Sequence, residues 1–278
     1  DTEAAKRVHP NVNPNKLVVL DVAELGFRNI HQFAPSNQFI TDWYIIDLFA
    51  NDKRQPISQF PNATQNIRGV NDPGWTTCNG AKDEMSFYYG GNGNPDDADK
   101  TNEIDEDGTH RADRWVSALN SGHEIWMKGL WRVPWEPITM KVKSINTLDQ
   151  SISFYEAPPS GMGSKYTAVV SEKPLWRKGS GKESYFVLNL LEEIDQPGEW
   201  ALDTKDKKLY YYPSAPLDKL NIMISDMISP IVKFNRVDNV QMQGVQVEGG
   251  LGVGMDLLFS NNITVASCNI VNAGKTGI

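Results

Sequence analysis

The sequence predicts an all-β protein in two parts, an antiparallel sandwich- or barrel-like module followed by the first coils of a parallel β-solenoid. The stretch 239–247 recurs at 262–270 without a gap, 23 residues further on, and Gly254-Met255 recurs as Gly277-Ile278. Within the copies Val240, Met242, Val245 and Val247 alternate like Ile263, Val265, Cys268 and Ile270, with one phase shift at Gly244 and Ser267. Alternation with period 2 marks strands with one buried face, and recurrence in the twenties marks stacked coils. Upstream, from residue 17 to 213, short β-branched runs are separated by turn residues with almost no 3.6-residue periodicity, the pattern of antiparallel sheets.

In chain order, residues 1–16 read as a connecting segment, 17–215 as the antiparallel module and 216–278 as coils. Residues 17–22 form a β-branched strand, and 43–49 another. The second leads through Asn51-Asp52, residues that tolerate positive φ, into 55–60 as a hairpin. Residues 140–145 alternate cleanly and meet 151–155 across the turn 146–150. A third hairpin runs 199–203, turn 204–208, then 209–213. In it Pro197-Gly198 supplies a turn, Glu199 is placed to accept from turn amides, and Trp200 buries a large ring while Tyr210 to Tyr212 alternate across the sheet. In the coils, Asp238-Asn239 and Asn261-Asn262 fall at corners, where stacked side chains form a short asparagine ladder. Val245 and Cys268 are assigned to the inward face, Cys268 as a small buried hydrophobe. A solenoid needs about three or more coils and a cap. Two copies stopping in mid-repeat are therefore expected to be a piece of a longer chain.

Composition narrows the partners. The chain has 278 residues, 40% of them hydrophobic and 10% aromatic, enough for a packed core. With 35 acidic against 27 basic residues the net charge is −8, which opposes nucleic-acid binding. No apolar run approaches the roughly 20 residues of a membrane span. The two cysteines, Cys78 and Cys268, make no disulfide framework.

The segment Leu190-Leu191-Glu192-Glu193-Ile194-Asp195-Gln196-Pro197-Gly198-Glu199-Trp200-Ala201-Leu202-Asp203, followed by Leu209-Tyr210-Tyr211-Tyr212-Pro213, resembles the "LEELDAPGEWYLD…LYYYP" signature of bacterial right-handed parallel β-helix carbohydrate-active proteins. The group it is most similar to is glycoside hydrolase family 141, the fucosidase and xylanase group. Residues 16–26, 48–62 and 125–131 resemble further segments of that group in the same order. The resemblance implies a right-handed parallel β-helix with the β-rich module inserted between its coils. It also implies secretion to the periplasm or cell surface, a polysaccharide or oligosaccharide substrate and no cofactor. Catalysis would use two carboxylates, one as acid and one as nucleophile or base. The catalytic acids are expected on coils past Ile278 and are not identified here. The same fold also serves polysaccharide lyases and epimerases, which need a base beside a uronate carboxylate, and non-catalytic glycan-binding or adhesive proteins.

Candidate chemistry within the chain is sparse. Trp126, Trp131 and Trp135 with Glu136 form an aromatic run suited to stacking on sugar faces, although core packing explains at least two of the rings. Trp131, Trp135, Glu136 and Asp256 are the substrate-binding candidates, Asp256 as a carboxylate facing the groove of the coils. The cluster Asp96, Asp97, Asp99, Glu103, Asp105, Glu106, Asp107 and Gly108 offers oxygen atoms but not a calcium-loop pattern, so it reads as a solvated loop and no metal site is expected. His110 and His123 lack metal spacing and read as ordinary polar residues.

Overall fold

The computed structural model describes residues 2–27, 46–65, 71, 72, 74–89, 110–163 and 183–278. They form two compact units. The first holds the described residues up to Gly26 and from Ile57 to Ser214; the second holds Phe27, those from Ile46 to Pro56, and Ala215 to Ile278. The acidic cluster of residues 96–108, with the glycines before it and residues 43–45 of the second expected strand, lies outside the described residues.

The first unit is built on a seven-stranded antiparallel sheet. Its path runs Gln59–Phe60, Ser184–Leu188, Trp126–Gly129, Ile138–Asn146, Ser151–Phe154 and Ser86–Tyr88, with Thr76–Thr77 also paired to Ser184–Leu188. The expected hairpin across 146–150 is present, with Val142 opposite Phe154 and Asn146 opposite Ser151. The buried face carries Met127, Met140, Ile152, Phe154, Phe87 and Tyr185 around Trp131. Against them packs the helix Arg111–Asn120. That helix corrects the reading of 17–213 as strands alone. Its buried residues Arg111, Ala112, Trp115 and Ala118 follow helical spacing, but alanines carry the stripe and a sequence scan for large apolar residues passes over it.

A second, three-stranded sheet orders Val18–Asp21, Lys208–Tyr211 and Trp200–Asp203. The Pro197-Gly198 hairpin holds as expected: Trp200 lies opposite Tyr211, and Glu199 Oε2 accepts from the amides of Asp195 and Gln196, both at 2.9 Å. Residues 1–16, expected to connect, instead contain the helix Thr2–Arg7 and bury Ala4, Val8 and Val12 against Leu191, Ile194, Ala201 and Tyr210. The unit is all-β in its sheets and sandwich-like.

In the second unit Asp47–Ala50 pairs with Lys53–Arg54 across Asn51-Asp52, whose φ values of 49° and 60° place both in the left-handed region. The hairpin is therefore tighter than expected, and Gln59–Phe60 pairs with Ser184–Leu188 instead. The 23-residue repeat appears as three parallel pairings: Val232–Asn235 on Met255–Leu258, Asp238–Gln243 on Asn261–Ala266, and Gln246–Glu248 on Asn269–Val271. Val240 sits over Ile263 as expected. At the corner Asn262 Nδ2 donates to Asn239 Oδ1 at 2.6 Å, and Asn261 Nδ2 to Asp238 Oδ1 at 2.9 Å, which is the expected ladder. The inward assignment of Val245 is corrected, since that side chain is 40% exposed while Val247 is 2% exposed. Gly244 and Ser267, with φ of 69° and 49°, turn the chain there, so the alternation restarts at Val247. Cys268 is half-buried rather than buried.

Candidate functional site

The chemistry-bearing side chains of the first unit gather where four elements end. Arg7 closes the helix Thr2–Arg7, and His123 follows the turn after the helix Arg111–Asn120. Glu192 sits in the turn Leu191–Glu193, and Asp203 ends the strand Trp200–Asp203. Arg7 Nε donates to Glu192 Oε1 at 2.8 Å, and Arg7 Nη1 to Asp203 Oδ2 at 2.6 Å. His123 Nδ1 lies 2.9 Å from the same Asp203 oxygen and 3.2 Å from Arg7 Nη1. A guanidinium only donates and a carboxylate only accepts, so the proton on Nδ1 belongs in the bond to Asp203, the stronger, charge-assisted contact. Asp203 Oδ1 in turn accepts from the amides of Lys205 and Asp206, both at 3.1 Å.

Burial alone would raise the Asp203 carboxyl, but the bonds from His123 and Arg7 hold it well below the usual carboxylate range. Burial opposes the charge on Arg7, and Glu192 and Asp203 outweigh that and raise it. The cluster is thus a satisfied set of charges. His123, Asp203 and Asp206 bring ligand-type atoms within 4.8 Å of one another. A cation does not fit there, because the Arg7 guanidinium already occupies the face of Asp203 that a metal would need. The slot beside the cluster has room for about 20 Å³, enough for a water and not for a substrate. This arrangement braces four chain segments.

Two other acid sites are likewise committed. Glu193 is buried, and burial pushes its carboxyl up against the opposing pull of Arg111 and Arg114. Trp115 Nε1 donates to it at 2.7 Å. Glu199 is pushed up to about 8, by burial first and with the Asp195 carboxyl beside it, against the two turn amides that favour the anion. Asn62 Nδ2 donates to both Asp195 oxygens, at 2.9 and 3.1 Å.

Of the residues singled out from sequence, Trp131 is corrected outright. It is fully buried, with ring centroids of Phe154, Phe87 and Tyr185 at 4.9, 5.3 and 6.0 Å, and its Nε1 donates to the Ile138 carbonyl at 2.8 Å. Gly129 faces the ring so closely that a Cβ there would stand 2.4 Å from it, which explains the glycine two residues before the tryptophan. Trp126 is buried too, leaving Trp135, 52% exposed, as the ring of that run with an open surface. Glu136 is buried and accepts from the Ser160 hydroxyl. Asp256 belongs to the second unit, on Met255–Leu258, paired in register with Lys233. His123, read from sequence as an ordinary polar residue, is bonded to Asp203, a partner the sequence did not indicate.

An open groove adjoins the brace. It encloses about 260 Å³ between the end of the helix Arg111–Asn120 and the strand Ile138–Asn146, and His123 and Glu124 line both it and the slot.

The chain holds a β-sheet module and a unit of parallel-paired strands. Residues 97–214 match the family model described as the GH141 insertion domain. Among solved structures the chain is similar to one titled "Glycoside hydrolase", with 17% identity and a TM-score of 0.44. That similarity covers 94% of this chain and 35% of the other, so the chain spans about a third of that protein's length. No curated protein matches the chain.

Proposed function

We propose that this chain is part of a glycoside hydrolase that cleaves a cell-wall polysaccharide by two-carboxylate catalysis. The match of residues 97–214 to the GH141 insertion domain carries the reading. The residues 216–278 are read as coils of a right-handed parallel β-helix, supported by the 23-residue parallel pairings. No catalytic acid is assigned in the first unit, because Glu192, Glu193 and Asp203 are held by arginines and Glu199 by turn amides. Work outside the cytoplasm, in the periplasm or at the cell surface, fits a polymeric substrate. Trp135 is assigned as a sugar platform with Glu136 as its neighbour in the first unit, and Asp256, in the second unit, is a separate carboxylate candidate.

The test is turnover of plant and algal polysaccharides by the protein in its natural length. New reducing ends without unsaturated products support hydrolysis, and products absorbing near roughly 235 nm would move the protein to elimination chemistry. Trp135→Ala is expected to raise KM more than it lowers kcat, since a platform binds ground and transition states alike. The change should leave stability within about 0.5 kcal/mol, as for other exposed positions. Unchanged KM would remove Trp135 from the site.

A further inference from the structure

The groove beside the brace has features that folding alone does not require. Tyr155, immediately after the strand Ser151–Phe154, is 60% exposed at its rim. The Lys141 ammonium lies 5.5 Å from the tyrosine ring centroid and is itself held by Glu124, which also accepts from Trp126 Nε1 at 3.2 Å. Glu124 and Lys141 therefore neutralise each other. Lys143 is different. Opposite it the pairing of the two strands slips, since Val142 faces Phe154 and Ser144 already faces Ser153, so Lys143 is the extra residue of a bulge. Bulges re-aim side chains, and this one sets Lys143 in the groove lining. Among the described residues Lys143 has no hydrogen-bond or ion-pair partner.

We propose that this groove is a sugar-binding subsite for a single residue carrying a carboxylate, stacked on Tyr155 with its acid group on Lys143. The proposal takes from the glycoside hydrolase reading only that the ligand is a carbohydrate. Pyranose C–H faces suit an exposed aromatic ring, and Asn120 and Ser144 at the rim offer hydrogen bonds to hydroxyls. At about 260 Å³ the groove is smaller than sites for drug-sized ligands, roughly 300–1,000 Å³, so it takes one ring and not a chain. The net charge of −8 does not forbid an acidic sugar, because exposed charges more than about 8 Å away are largely screened at physiological salt while Lys143 would touch the acid group.

The test is a ligand-observed and chemical-shift NMR titration of the whole chain with methyl β-glucuronide and methyl β-glucoside, which differ at one carbon. The glucuronide is expected to bind about three- to five-fold more tightly, the range of one exposed charge contact. Lys143→Gln should abolish that preference while glucoside binding persists, and Tyr155→Ala should weaken both sugars at least about five-fold. Both positions are exposed, so an unchanged melting temperature keeps loss of binding distinct from loss of fold. Equal binding of the two sugars, no binding of either, or a preference that survives Lys143→Gln would overturn the subsite. Because the assay reads binding without turnover, glucuronide bound by a protein that cleaves no glycan would reject the hydrolase reading and keep the subsite. Cleavage without glucuronide binding would do the reverse.

Discussion

Replacing Glu199 by glutamine tests whether a turn residue governs the pH dependence of stability. Glu199 is 4% exposed, its Oε2 accepts two amides, and burial beside Asp195 pushes its carboxyl up to about 8 from an ordinary 4.5. Between those two values the folded protein keeps a proton that the unfolded chain has released. The folded state therefore loses stability as pH rises through that window, by at most about 1.4 kcal/mol per pH unit and a few kcal/mol in total. Glutamine mimics the protonated acid: its carbonyl accepts from the two amides and its amide group donates to Asp195. Glu199→Gln should match the parent near pH 5 and exceed it progressively toward pH 8. Urea denaturation at pH 5, 6, 7 and 8, with ΔG from the midpoint and slope, gives the comparison. Parallel profiles, or a variant weaker than the parent at pH 8, would show that Glu199 is ionised in the fold and that the amides outweigh burial.

Asp203 titrates in the opposite sense. Its carboxyl is held low by His123 and Arg7, so its contribution is present at neutral pH and is lost as pH falls below the ordinary 3.8 toward its folded value. Asp203→Ala should cost about 2–3 kcal/mol at pH 7, since Arg7 Nη1 and His123 Nδ1 lose their acceptor while Arg7 keeps Glu192. The cost should shrink in acid, and an equal cost at pH 3 and pH 7 in chemical denaturation would refute the brace. Val247→Asp should cost several kcal/mol while Val245→Asp stays within about 1 kcal/mol, read by thermal melts, because only Val247 is buried. Trp131→Ala should cost about 3–5 kcal/mol, and a mild effect would return the ring to the list of surface platforms.

What could be read from sequence was local. The Pro197-Gly198 turn and the acceptor role of Glu199 depend on residues within a few positions of one another and were found as expected, while the Asn51-Asp52 turn formed but closed on Lys53–Arg54 instead of 55–60. The repeat fixed the parallel register because copies 23 apart carry the same alternation. It failed at Val245, which lies at the corner after the left-handed Gly244 and before the strand Gln246–Glu248, outside the alternation that buries Val247. Trp131 and Trp135 looked alike in sequence. What separates them is Gly129, which makes room for one ring in the core, and that signal was present in the chain.

The polar clusters were not legible for a different reason. Arg7 meets His123 across 116 positions and Asp203 across 196, and nothing in composition or period links residues so far apart. Once the sheets form, such charges must find partners because an unpaired buried ion is too costly. The consequence for function is that burial marks which acids are already used. Glu192, Glu193 and Asp203 are bound by arginines, so their role is structural. Lys143, uncommitted in the groove lining, is invisible for the same reason in reverse. Its neighbours Lys141 and Ile145 continue a clean alternation, and only the slipped pairing with Ser151–Phe154 shows that one residue of the strand has no partner across it. A side chain placed by a bulge, uncommitted and beside an exposed ring, is where a ligand can still add an interaction the fold has not made.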